Sequence, residues 1–207
     1  MGKRPDTVWL VRHGESTWNA LGLVQGYAAE PALTALGRAQ AEQLAEQLAA
    51  TLAGVPVAAL YSSDLDRAVQ TASPLATRLG RDVVRDQRLR ERSFGEVEGT
   101  PSRVLPAAVA GIEGEQVSDA DATAPGGESV RDLFRRVAGF GDDVLAPMVA
   151  EGTNGDVVVV AHGGVVRVLA AWLDGIDPDG MPWGPVGNGL VVQRPLAAAR
   201  RPSMLGS

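Results

Sequence analysis

The chain has 207 residues, 45% of them hydrophobic, with no cysteine and a formal charge of −6. That length supports one substantial core rather than two, and the missing cysteine removes disulfides, thiolate nucleophiles and cysteine metal sites. An acidic chain has no basic surplus with which to neutralise nucleic-acid phosphates, so nucleic acid is not an expected partner. No apolar stretch approaches the length of a membrane span, and Thr7 to Val11 is too short for the core of a signal peptide. A cytoplasmic location, with no membrane partner, is the default.

In chain order, Val8 to Val11 is a short apolar run with the character of a buried strand, and it ends in Arg12-His13-Gly14. Gly14 to Pro31 reads as a loop with at most a turn of helix. Thr34 is a helix N-cap, followed by Leu36, Gln40, Leu44, Leu48 and Leu52 at steps of four, and Gly54 and Pro56 close the helix. Val57 to Tyr61 is a second strand ending in Ser62-Ser63-Asp64. A helix then runs from about Leu65 to Leu79, with Asp64 as its cap, Arg67 in its first turn, Gly80 after its end and Pro74 expected to kink or split it.

Asp82 to Arg85 is a short third strand, and Leu89 to Gly99 a charged, ordered loop. Thr100 to Ala124 allows only short helical pieces. A helix follows over Glu128 to Ala150, then a strand over Asp156 to Ala161, a helix over Gly163 to Leu173, and an edge strand around Leu190 to Val192, stopped by Pro195. The expected domain spans 1–196, with a frayed tail over 197–207. Strands alternating with helices predict a three-layer α/β/α sandwich with a mostly parallel central sheet and helices on both faces.

The chain has two histidines, and both terminate strands: His13 after β-like Val8–Arg12, and His162 after Val157–Ala161, each followed by glycine. Carboxyl ends of parallel strands are where α/β sheets bind ligands. Arg12, Arg67, His13, His162 and the backbone N–H groups at helix starts such as Gly163 together suit a dianionic phosphoryl group, because guanidinium forks hold oxyanions and neutral imidazole is a nucleophile. Glu91, in the loop after the third strand, is the best placed proton donor for a leaving oxygen.

Arg12-His13-Gly14-Glu15-Ser16 with Trp18-Asn19, Gln25-Gly26, Leu33-Thr34, Ser62-Ser63-Asp64-Leu65 with Arg67-Ala68, Leu89-Arg90-Glu91 with Phe94-Gly95, Gly127-Glu128-Ser129 and Ala161-His162-Gly163-Gly164 occur in this order. In this series the chain resembles the phosphoglycerate mutase-like histidine phosphatase superfamily. The resemblance implies an enzyme of the histidine acid phosphatase type. His13 would become a phosphohistidine; Arg12, Arg67 and His162 would hold the phosphoryl oxygens; Asn19 and Gln25-Gly26 would line the pocket with Ser16 near it. Glu91 would protonate the leaving alcohol and then activate water. It implies no metal and no cofactor, since arginines supply the positive charge.

The sequence departs from the family around the site. Tyr27-Ala28-Ala29-Glu30-Pro31-Ala32 replaces a more polar stretch, and Val97 stands where an aromatic residue is frequent. Between Gly99 and Gly127 the one basic residue, Arg103, faces Glu113, Glu115, Asp119 and Asp121, a poor second anion clamp. Hydrolysis of a small phosphomonoester with few further charges is therefore expected. The alternative is mutase-type phosphoryl transfer, for which Arg90 and Arg92 beside Glu91 would bind a carboxylate or second phosphate. A two-histidine metal hydrolase, with Glu91 or Asp64 as third ligand, and a non-catalytic phospho-ligand module are the remaining readings.

Overall fold

The computed structural model describes residues 6–105, 120–181 and 186–200. Five strands, β1 (Thr7–Arg12), β2 (Val57–Ser62), β3 (Val83–Arg85), β4 (Asp156–Ala161) and β5 (Val191–Pro195), form one sheet in the order β3-β2-β4-β1-β5. All neighbours are parallel except β5, which runs antiparallel to β1 at an edge. The helices are α1 (Thr17–Leu21), α2 (Ala35–Thr51), α3 (Asp66–Leu79), α4 (Val130–Phe140), α5 (Ala146–Ala150) and α6 (Gly163–Asp174).

The central strands are β1 and β4, and alternation along them builds both faces of the core. Trp9, Val11, Val158 and Val160 pack with Leu44, Leu48 and Leu52 around α2 and with Ala68, Ala72 and Leu75 of α3. Val8, Leu10, Val157 and Val159 pack with Leu133 and Val137 of α4 and with Val165 and Leu169 of α6. A strand covered on both sides has no place for polar side chains, which is why β4 is an almost unbroken valine run. At the amino-terminal end of β4, buried Asp156 accepts from Trp9 Nε1 at 2.6 Å and from the Thr7 amide, joining β1 to β4. The three-layer α/β/α sandwich is thus the observed architecture, and no described helix is long and apolar enough to cross a membrane.

Several local expectations change. The α2 stripe is not Leu36–Gln40–Leu44: Leu36 is exposed, and Gly37, Ala41, Leu44, Ala45 and Leu48 are buried. A step of four overshoots the helical repeat by about 40°, so a strict row of fours drifts off the face. Pro74 does not split α3, which runs unbroken with Ala72 and Leu75 in the core on either side of it. Asp64 does not cap α3; Leu65 occupies that position without a side-chain bond.

The helix expected over Glu128–Ala150 begins at Val130 behind a capping box between Ser129 and Asp132. It passes through a π-helical turn at Gly141–Leu145, just ahead of Pro147, which has no N–H to donate. After β5, Leu196–Arg200 forms a 3₁₀ turn with Leu196 and Ala199 buried. Residues 106–119, where most of the acidic stretch after Gly99 falls, and 201–207 of the expected tail lie outside the described residues.

Candidate active site

The register of β1 on β4 pairs Arg12 with Ala161, and the His13 amide donates to the Ala161 carbonyl at 3.0 Å. The two histidines therefore leave the sheet side by side. Their rings meet edge to face, 5.1 Å between centroids, at 3% and 0% exposure. His13 Nδ1 lies 2.7 Å from the Gly14 carbonyl. A carbonyl only accepts, so Nδ1 carries the proton and the Nε2 lone pair is left for attack.

Burial, then the nearby Arg67 and Arg12, push the His13 imidazole down to about 3, and burial with Arg67 and His13 lowers His162 strongly. Both rings are neutral near pH 7. His162 Nε2 sits 2.9 Å from Ser63 Oγ, whereas its Nδ1 is buried without a partner. An acceptor in the pocket would use that Nδ1 as a donor, with the Ser63 hydroxyl donating to Nε2.

Arg67, 1% exposed, enters from the first turn of α3. Its two terminal nitrogens donate to the carbonyls of Ala28 and Gly26, each at 2.8 Å, while its Nε is buried and unpartnered. Burial lowers this guanidinium to about 10, opposed by Glu91. Arg12 donates to the Val186 carbonyl, and its Nε is likewise buried without a partner. Two cations and one imidazole thus bring unsatisfied polar atoms to one buried place. Such atoms are costly unless a ligand completes them.

Glu91 reaches the same place from the loop after β3. Its Oε2 accepts from the Gly164 amide at 3.1 Å and its Oε1 from the Arg92 amide at 2.9 Å. Arg92, half-buried, stacks on Phe94 at 4.6 Å. Arg90 is engaged elsewhere: it forms a two-pronged pair with Asp64 at 2.7 and 2.6 Å. That pair ties two of the five Arg90 donors, and both Asp64 oxygens, to each other. Among the described residues no three His, Asp or Glu side chains converge on a point that could hold a metal ion.

The family model of the histidine phosphatase superfamily (branch 1) matches residues 8–194. The chain belongs to that superfamily. A 2,3-bisphosphoglycerate-dependent phosphoglycerate mutase of Brucella anthropi is 36% identical over 180 residues, 84% of either chain. Among solved structures, a mycobacterial glucosyl-3-phosphoglycerate phosphatase superposes with a TM-score of 0.74 at 31% identity, covering 91% of this chain and 89% of the other. A phosphoglycerate mutase from Bacillus anthracis superposes at 0.74 with 26% identity, covering 91% and 86%. Relatives bear both phosphatase and mutase names, so membership by itself does not separate hydrolysis from transfer.

The remaining residues expected of a superfamily pocket divide by role. Ser16 is wholly buried as the N-cap of α1, bonded to Gln25 Oε1 at 2.7 Å and to Asn19, so its hydroxyl is internal scaffolding. Asn19 Oδ1 takes donors from Ser16 and Asn188, leaving its amide hydrogens as what it can offer an anion. Gly26 adopts φ +50° against Glu98, which would collide with any Cβ there. Gly163 begins α6 with the Arg12 side chain nearest its Cβ direction, Nε at 3.7 Å.

Three further residues, absent from the residue-type argument, adjoin the two histidines and Glu91. Ser63 orients His162. Asn188 donates to the His13 and Gly14 carbonyls at 3.1 and 3.3 Å. Arg167, one turn into α6, is electrostatically coupled to Glu91. Ser63 lay inside a recognisable motif; Asn188 and Arg167 had no sequence signal beyond closeness to a strand or to His162.

Proposed function

We propose that the chain hydrolyses a small phosphomonoester through a phosphohistidine on His13, without a metal ion. The observation that carries this reading is the set of buried, unpartnered donors (Arg12 Nε, Arg67 Nε and His162 Nδ1) gathered beside the His13 ring, whose Nε2 lone pair is left for attack. In the first step Nε2 attacks phosphorus, the bond to the ester oxygen breaks, and Glu91 delivers a proton to that oxygen. The two arginines and His162 stabilise charge on the equatorial oxygens. In the second, Glu91 takes a proton from water as the water oxygen displaces His13, releasing inorganic phosphate. Asn19, Gln25, Gly26 and the Gly163 amide complete the phosphate pocket.

Hydrolysis is favoured over transfer because Arg90 is held by Asp64 and Arg103 is the one basic residue between Gly99 and Gly127. The mutase reading is supported by the Brucella anthropi relative and by Arg92, which is left beside Glu91 for an anionic group. A metal hydrolase would set a dication against two guanidinium groups, an unfavourable juxtaposition.

The deciding experiment measures phosphate release from an aryl phosphomonoester by chelator-treated protein and by His13→Ala. Isomerisation of 3-phosphoglycerate with added bisphosphoglycerate is run in parallel. Chelator-resistant release that disappears in the variant and exceeds isomerisation is expected. Faster isomerisation would replace hydrolysis by transfer, and loss to the chelator would overturn the metal-free route.

A further inference from the structure

Arg136, in α4, takes no part in the reaction steps above, yet its whole guanidinium is committed to the chain around Glu91. Its Nη1 donates to the carbonyls of Arg88 and Arg90 at 2.8 and 2.9 Å, and its Nη2 to the carbonyl of Glu91 at 3.1 Å. The remaining N–H groups form a fork onto Glu128, Nε to Oε1 at 2.9 Å and Nη2 to Oε2 at 2.7 Å. All five donors of a guanidinium are thereby used. Glu128 Oε2 also accepts from the Ser93 amide at 3.0 Å. Glu91 is thus held on both sides: through carbonyls up to and including its own, and through the amide two residues later.

The other charged and ring groups at this point are accounted for. Tyr27 lies against Arg136 at 5.6 Å and Arg90 at 5.4 Å, and its hydroxyl approaches Glu128. Arg90 is paired with Asp64. The helix that carries Arg136 is rigidly seated, with Leu133, Val137 and Phe140 fully buried. Rigidity thus passes from the core, through one side chain, to the backbone that presents Glu91.

We propose that Arg136, oriented by Glu128, is a positioning residue that sets the reach of the Glu91 carboxyl group to the leaving oxygen. The inference rests on the role given to Glu91 under the proposed function. Proton delivery depends steeply on placement, and a displacement of about 1 Å can lower a rate by roughly 100-fold. The requirement for a proton also depends on the ester, since an alkoxide is a poor leaving group and a nitrophenolate departs without one.

The test compares kcat/KM for an alkyl phosphomonoester and for a nitrophenyl phosphomonoester in Arg136→Lys, Glu128→Gln and Glu91→Gln, alongside thermal melting of each variant. Arg136→Lys is expected to lower the alkyl value by roughly 100-fold and the nitrophenyl value by less than about threefold, with Glu91→Gln showing a larger split. In the double variant Arg136→Lys/Glu91→Gln the alkyl value should fall no further than in Glu91→Gln alone. Equal losses on both esters in Arg136→Lys, with the split intact in Glu91→Gln, would overturn the positioning role alone. No split in Glu91→Gln would overturn the acid role of Glu91 and the inference with it. If Arg136→Lys does not fold, Glu128→Gln decides: it keeps an acceptor for Ser93 but loses the charge that orients Arg136, and it must show the same split.

Discussion

Glu91 rests on the amide of Gly164, the second residue of α6, with Oε2 at 3.1 Å from the nitrogen. The helix that begins directly after His162 therefore also seats the carboxylate. A Cβ at position 164 would stand 2.3 Å from Glu91 Oε1 and 3.1 Å from a Leu133 methyl. Gly164→Ala should consequently leave the fold standing, since alanine is the better helix former by about 1 kcal/mol. It should push Glu91 off its seat, lowering kcat/KM for an alkyl phosphomonoester by at least roughly tenfold. Melting and kinetics on the same preparation check this, and unchanged activity would refute the seat.

Acid should unfold the protein through its two histidines. The unfolded chain takes up protons on them near pH 6.5, whereas folded His13 does so only near about 3 and His162 also far below 6.5. Between those limits the unfolded state binds more protons, so stability is full above about pH 6.5 and falls as the pH drops toward 3, by up to about 1.4 kcal/mol per pH unit for each histidine. Urea midpoints at pH 7 and pH 5 measure it. A midpoint that does not fall at pH 5 would contradict the buried neutral pair.

Asp64→Asn should release Arg90 toward the pocket. The pair is partly exposed, so its loss should cost less than about 1 kcal/mol of stability. The freed guanidinium should tighten competitive inhibition by 2,3-bisphosphoglycerate by roughly tenfold, the effect of one charge-assisted bond. An unchanged inhibition constant would show that Arg90 cannot reach a second anion.

Two glycines should respond oppositely to alanine. A Cβ on Gly37 would lie 2.0 Å from the Glu15 carbonyl oxygen, where the turn after His13 docks on α2, and neither backbone can yield. Gly37→Ala is expected to destabilise by about 1–3 kcal/mol or more. Gly139, in α4, has open space around its Cβ direction, and Gly139→Ala should stabilise by about 0.5–1 kcal/mol. Urea midpoints of the two variants decide, and a shift of the same sign in both would refute the contrast.

Most of the candidate site was legible because its residue types coincide with abrupt changes of pattern. His13 and His162 end apolar runs, and Arg67 follows a strand and a turn, so sheet topology alone brings them to one edge. Glu91 was recognisable by type and by the loop that holds it, yet nothing local distinguishes it from Glu96 or Glu98. Its place on the Gly164 amide is a contact between residues 73 apart in sequence. The pairing of Arg90 with Asp64 was hidden for the same reason. Asp64 precedes a helix and so resembled a cap, but an arginine fork from another loop holds it instead.

What the sequence determined by itself was the set of elements, the two-sided burial of the central strands and the residue types at the sheet edge. These follow from periodicity and backbone preference, which act over a few neighbours. Tertiary structure alone decided which arginines are free for a ligand, which nitrogen of each histidine faces it, and which side chains hold Glu91 in place. Those outcomes depend on burial and on hydrogen bonds between distant segments. The energy of a polar group is set by the partners that packing brings to it, and packing is a property of the whole chain.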